Sequence, residues 1–125
     1  MSSQPTADRS VRLAWAADAG RMATVQRNAL RQQYADILPA TVLAELDAAP
    51  LVDVWEAALR RPPSARHRIL VALDRSVVVG FVALTPSEDP DADSLREAEV
   101  VAFHIDPEST GQGHGSRLIA AAVEF

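Results

Sequence analysis

Val101-Ala-Phe-His-Ile-Asp-Pro-Glu-Ser-Thr-Gly-Gln-Gly-His-Gly-Ser-Arg-Leu118 is the segment whose reading decides the fold. Its first five residues are mostly apolar and end a predicted β-strand that begins at Arg96. From Val100 onward that strand is apolar on both faces, the pattern of a strand buried in the middle of a sheet. Pro107 closes it, because proline has no amide hydrogen to give to a ladder. Gly111, Gly113 and Gly115 then alternate with Gln112 and His114. From Ser116 to Phe125 the apolar residues Leu118, Ile119, Ala122 and Phe125 fall on or near one helical face. Alternate glycines let a backbone approach a ligand closely, and the amides of such a loop converge with the positive end of the helix that follows. Strand, proline, glycine loop and helix together form a holder for an anion. Two familiar phosphate loops do not fit: there is no lysine for a Walker A sequence, and neither Gly111 nor Gly113 begins a G-x-G-x-x-G.

Upstream, Thr85 to Leu95 is acidic, carries Pro86 and Pro90, lacks periodicity, and reads as a surface loop. Before it, Arg68–Asp74 and Val77–Leu84 are rich in β-branched and large apolar residues with Arg75-Ser76 between them, which predicts a hairpin. A helical region precedes the hairpin and ends at Pro62-Pro63. Ala19 to Tyr34 is its first helix, with Met22, Val25, Ala29 and Leu30 on the apolar side. A second stretch starts with Val42, Leu43 and Leu46, is interrupted at Pro50, and resumes over Leu51–Leu59 with Val54, Trp55 and Leu59 as core contacts. Val11 to Trp15 alternates as a strand, and Asp18 stands where a carboxylate would cap the first helix. Residues 1–10 read as a loose tail.

A chain of 125 residues with 48% hydrophobic content supports one domain around one core. Net charge of −5 and a pI near 5.1 give no general attraction to nucleic acid or an anionic membrane. The basic cluster Arg60, Arg61, Arg66, His67 and Arg68 reads as a solvated helix end and strand entry. No stretch approaches the roughly 20 apolar residues of a membrane helix, and the amino terminus lacks the order of a signal peptide, so a cytoplasmic protein is expected. The absence of cysteine removes disulfides, thiolate nucleophiles and zinc-thiolate sites. His67, His104 and His114 have no metal-ligand spacing, so no metal is expected, and the side chains of His104 and His114 read as packing or surface groups. Ser109 and Ser116 sit in no nucleophile elbow. Tyr34 and Trp55 are core residues or walls of an acceptor site.

Residues 101–118 resemble the cofactor motif of the GNAT superfamily of acyl-CoA-dependent N-acetyltransferases. In that motif a strand leads into Q/R-x-x-G-x-G/A and then a helix with a leucine near its first turn. Gly113, His114 and Gly115 match its end and Leu118 the helix position, whereas Thr110 stands where the family has Gln or Arg. The upstream order agrees: strand, helix, a helical pair around Tyr34, Leu38, Pro39, Trp55 and Leu59, hairpin, long loop and fourth strand. The resemblance covers residues 11–125. It implies an α/β domain with a mixed, largely antiparallel sheet and helices on both faces. It also implies coenzyme A with its pyrophosphate on the main chain of Gly111, Gln112, Gly113, His114, Gly115 and Ser116, and pantetheine along the backbone of Phe103, His104 and Ile105. Acetyl-CoA is then the co-substrate and a small-molecule or peptide amine the acceptor, acetylated with no covalent enzyme intermediate.

An ammonium has no free lone pair, so the acceptor must first give up a proton. Glu99 is the base the resemblance implies, because Ala98-Glu-Val-Val-Ala-Phe-His-Ile105 aligns without a gap to the fourth strand of the histone-acetylating branch, which has its glutamate base there. A central-strand carboxylate is also expected to be partly desolvated, with its pKa raised toward a useful range. The alternative makes Glu99 a solvated strand-entry residue like Glu97, in a non-catalytic module that binds coenzyme A or a protein partner. A bulky residue at Gly113 or Gly115 is expected to block close approach of the cofactor and to force an unfavourable φ. Members of the superfamily continue past this helix into a fifth strand, another helix and two further strands. The chain is therefore expected to be a truncated domain whose fourth strand has an open edge, which a homodimer could complete.

Overall fold

The computed structural model describes residues 8–62, 67–86 and 98–124. Residues 1–7 of the expected tail, most of the expected acidic loop, Glu97 and Phe125 lie outside this set. Four strands, β1 (Arg9–Leu13), β2 (Arg68–Asp74), β3 (Val77–Pro86) and β4 (Ala98–Ile105), form one sheet in the order β1-β2-β3-β4. Every neighbouring pair is antiparallel, in keeping with the expected α/β domain and its largely antiparallel sheet. β1 begins at Arg9, two residues before the expected Val11, because the Asp8 carbonyl accepts from the Arg75 amide at 2.7 Å and extends the ladder.

Four helices complete the fold: α1 (Ala19–Gln33), α2 (Ala40–Ala44), α3 (Ala49–Arg60) and α4 (His114–Glu124). α1 and α3 cover one face of the sheet and α4 the other. Period-two alternation along β2 divides its residues between two cores. Val71 and Leu73 join Met22, Val25, Trp55 and Phe81 on the α1/α3 side, and Leu70 and Ala72 join Val82, Leu84 and Leu118 on the α4 side. Each large side chain fully removed from water there contributes about 1.5–3 kcal/mol. Trp55 meets Phe81 edge to face at 5.0 Å and donates its indole N–H to Gln26 Oε1 at 2.7 Å, so its polar handle is satisfied.

Three local expectations are corrected. Asp18 makes no side-chain bond to the amides of α1. Its carboxylate turns back to accept from Trp15 N–H at 2.6 Å and from both terminal nitrogens of Arg12, pinning β1 to the helix start. Burial alone would raise its pKa, but the Arg12 and Trp15 hydrogen bonds and the Arg12 charge outweigh this and hold it below the ordinary carboxylate value. Pro50 does not interrupt a helix. It lies in the first turn of α3, where its missing N–H is no loss, and the break falls before Ala49. Val54 is exposed, while Trp55 and Leu59 turn inward.

The β2–β3 hairpin closes through Arg75 (φ 51°) and Ser76 (φ 70°), both left-handed and neither glycine. A two-residue turn of this kind matches the twist of its strands but strains ordinary side chains, and Asn-Gly is its relaxed sequence. The double replacement Arg75→Asn with Ser76→Gly is expected to add about 1 kcal/mol of stability, a rise of about 4 °C in thermal midpoint. An unchanged midpoint by calorimetry would show that contacts of the native side chains offset the strain.

Candidate functional site

The site is built where β4 runs into α4. Asp106 leaves the strand with its amide bonded to the Val79 carbonyl at 2.8 Å. Its buried carboxylate accepts from Glu108 N–H at 3.2 Å, which fixes the turn over Pro107–Ser109. Arg21 of α1 reaches the same corner, donating to the Val78 carbonyl at 2.9 Å and lying 3.8 Å from Asp106. The Thr110 hydroxyl donates to the Pro107 carbonyl at 3.1 Å, so it is engaged with its own turn.

Gly111 (φ 79°) and Gly113 (φ 84°) are both left-handed, a backbone state that favours glycine. The helix starts at His114, two residues before the expected Ser116, which places Gly115 inside the first turn without a left-handed φ. The expected backbone penalty therefore applies to Gly113 and not to Gly115. A Cβ on Gly115 would sit at ordinary contact distance, 3.4 Å from the Phe103 ring. The amides of the first turn of α4 have no partner within the helix. Converging donors at the positive end of a helix of 11 residues suit a diphosphate. Gly111, Gln112, Gly113, His114, Gly115 and Ser116 thus form one continuous turn into the start of α4.

The side chain of His114 points elsewhere. It is 1% exposed, neither ring nitrogen has a hydrogen-bond partner, and Nε2 lies 3.8 Å from Asp74 Oδ2. Burial lowers its pKa. The Arg117 charge pushes the same way, Asp74 opposes, and Arg9 lowers it further. A lowered folded-state pKa means the unfolded chain takes up the proton first as pH falls. The stability that neutral His114 contributes is complete above its unfolded pKa of about 6.5 and is lost as pH drops from there through the folded value. His104, whose pKa burial also lowers, acts in the same direction. His114→Leu removes a buried ring with no hydrogen-bond partner and is expected to melt higher than the wild type. The gap should widen between pH 7 and pH 5, and a pH-independent gap in melting scans would contradict the buried neutral histidine.

β4 is the outer strand of the described sheet, so alternate main-chain groups of Phe103, His104 and Ile105 face away from β3. The expected burial on both faces is not found: Val100, Val101 and Phe103 are exposed, because no described element packs beyond them. Register pairs Ala83 with Ala102 but Leu84 with Val100, making Val101 the extra residue of a β-bulge. The bulge decides where Glu99 lies. Leu84 belongs to the α4-side core and Ala83 to the α1/α3-side core, so Glu99, opposite Thr85, falls on the α1/α3 face with Ala102 and His104. Had regular pairing continued through Val101, Glu99 would fall opposite Pro86 on the other face. Glu99 is exposed, and the partial desolvation expected of a central-strand carboxylate is not observed.

Sequence reasoning missed Arg9 and Arg117. Both donate to the Gln112 carbonyl, at 3.3 Å and 3.1 Å, and Arg9 does so from 103 positions away. No local signal marks either. Asp106 was legible in principle, since Asp-Pro followed by polar residues is a turn-initiating signature. Among the described residues no group of three or more His, Asp or Glu side chains converges on a metal-sized site, and no helix is long and apolar enough to cross a membrane.

The model of the acetyltransferase (GNAT) family matches residues 27–125. The chain belongs to the GNAT acetyltransferase family. Solved GNAT-fold structures superpose on it across nearly its whole length. The PaiA N-acetyltransferase of Thermoplasma acidophilum, in complex with coenzyme A, is 18% identical with a TM-score of 0.67, over 93% of this chain and 70% of that one. A GNAT family acetyltransferase from Brucella melitensis, in complex with acetyl-CoA, is 21% identical with a TM-score of 0.62, over 93% and 66%. YncA, a putative acetyltransferase from Salmonella typhimurium with acetyl-CoA, is 18% identical with a TM-score of 0.59, over 94% and 62%. At these identities the likeness establishes the GNAT fold. No curated protein matches the sequence significantly.

Proposed function

We propose that this GNAT domain transfers an acetyl group from acetyl-CoA to the nitrogen of an amine, without a covalent enzyme intermediate. One observation carries the reading. Left-handed Gly111 and Gly113 lead into the first-turn amides of α4, which have no partner within the helix, just after the end of β4, the outer strand of the described sheet. Amides from Gly111 to Ser116 would hold the pyrophosphate, and the outward main chain of Phe103 to Ile105 would hold pantetheine. Exposed Val101 and Phe103 would give the acyl arm an apolar floor.

In this reading the acceptor nitrogen attacks the thioester carbonyl, a C–N bond forms and the C–S bond breaks. Sulfur leaves with the bonding pair and takes a proton. The proton lost by nitrogen goes to Glu99, directly or through a water, and the bulge supports this role by turning Glu99 to the α1/α3 face. Acetyl-CoA incubated with small amines, peptides and aminoglycosides is expected to release free thiol with one acceptor class, and mass spectrometry should find the acetylated amine. Thr110, bonded to Pro107 where the superfamily has Gln or Arg, favours the second reading, a non-catalytic coenzyme A-binding module. Acetyl-CoA binding with no thiol release across the panel would establish that reading instead.

A further inference from the structure

We propose that Arg9 and Arg117 are positioning residues that aim the Gly113 amide at the bound anion by holding the Gln112 carbonyl from behind. The inference rests on the glycine loop being the pyrophosphate site. A carbonyl oxygen has two lone pairs, and here two guanidinium groups occupy one oxygen, Arg117 at 3.1 Å and Arg9 at 3.3 Å. All described peptide bonds are trans. In a trans peptide the carbonyl and the following N–H point in opposite directions, so tying Gln112 C=O toward β1 and α4 turns Gly113 N–H the other way.

Two further observations agree. A Cβ at Gly113 would lie 3.3 Å from both terminal nitrogens of Arg117, so that guanidinium lies close against the loop backbone. Gly113 itself is left-handed at φ 84°, and a glycine has no side chain to keep it there. The restraint has to come from outside the loop. Arg9 ties it to the far edge strand of the sheet, and His114 fills the space behind it with a ring that makes no hydrogen bond and cannot hold the backbone itself. The two arginines thus convert a flexible glycine peptide into a fixed donor, and orientation fixed before binding raises affinity by lowering the ordering cost.

The test uses the full chain with Arg9→Met, Arg117→Met and the double variant. Titration calorimetry with coenzyme A is expected to show about tenfold weaker binding for each single variant. The double variant should be little worse, because both groups serve one oxygen. Dephospho-coenzyme A should lose affinity by the same factor. A loss confined to coenzyme A would mean that the arginines touch the 3′-phosphate directly, and would overturn the proposal, as would undiminished affinity. The residual dipolar coupling of the Gly113 amide, measured without ligand, should change in each variant while the thermal midpoint moves little. An unchanged coupling also overturns the proposal. Wild-type protein that binds neither cofactor would defeat the pyrophosphate assignment, and the clamp would then stand or fall on the Gly113 coupling alone. Should Arg9→Met fail to fold, Arg117→Met on the first turn of α4 carries the test by itself.

Discussion

Glu99→Gln is expected to lower acetyl transfer by about two to four orders of magnitude while acetyl-CoA affinity stays near the wild-type value. Glutamine keeps the shape and hydrogen-bonding capacity of the side chain but cannot accept a full proton. The effect should appear in kcat and kcat/KM together, the signature of an interaction made only in the transition state. Glu99 is exposed on β4, remote from the α4 start that holds the glycine loop, which is why cofactor binding should be spared. Steady-state rates across pH 6–9 decide the matter: a Glu99→Gln enzyme with wild-type rates throughout transfers the role to Glu97, to Asp106 or to water.

Gly113→Val is expected to weaken coenzyme A binding by about two orders of magnitude or more. Valine is among the residues least able to adopt φ 84°, and the left-handed state costs an L-residue roughly 1–2 kcal/mol before any clash is counted. The loop relieves that strain by rotating the peptide, which turns the Gly113 amide away from the anion. The 3.3 Å approach to Arg117 is the smaller effect, since a guanidinium at the end of a flexible stem can move. Gly115→Ala is the informative contrast. Gly115 has no left-handed φ, and the Phe103 ring lies at ordinary contact distance from its added methyl. Alanine there should favour the helix by about 0.5–1 kcal/mol and leave affinity within a few-fold. Calorimetry on both variants separates backbone conformation from bulk. Equal losses would mean that the close approach, and not the left-handed peptide, makes the site.

Much of the architecture was legible because it is written in short-range patterns. The hairpin over Arg68–Asp74 and Val77–Leu84 is signalled by apolar runs flanking two turn residues, and it formed with only an extension to Pro86. The helix at Ala19 follows a 3.6-residue period, and three alternating glycines announce a loop that lies close to a ligand. Where local rules conflict, position within the element decides. Pro50 breaks a helix interior but suits a first turn, and composition alone does not say which it occupies. Asp18 has a cap's identity, yet the nearby Arg12 guanidinium outcompetes the α1 amides for its carboxylate.

By itself the sequence determined the order and type of the elements, the hairpin, the anion-holding loop and its resemblance to the GNAT cofactor motif. Each of these depends on residues within a few positions of one another, where periodicity and turn chemistry act directly on the chain. Only the tertiary structure decided which face carries Glu99, that β4 is the outer strand of the described sheet, that His114 is sealed beneath the loop, and that Arg9 reaches Gln112 across 103 positions. Those outcomes depend on inter-strand register and on which surfaces meet. One extra residue at Val101 inverts the facing of every residue before it, and nothing in the identity of a valine announces a bulge.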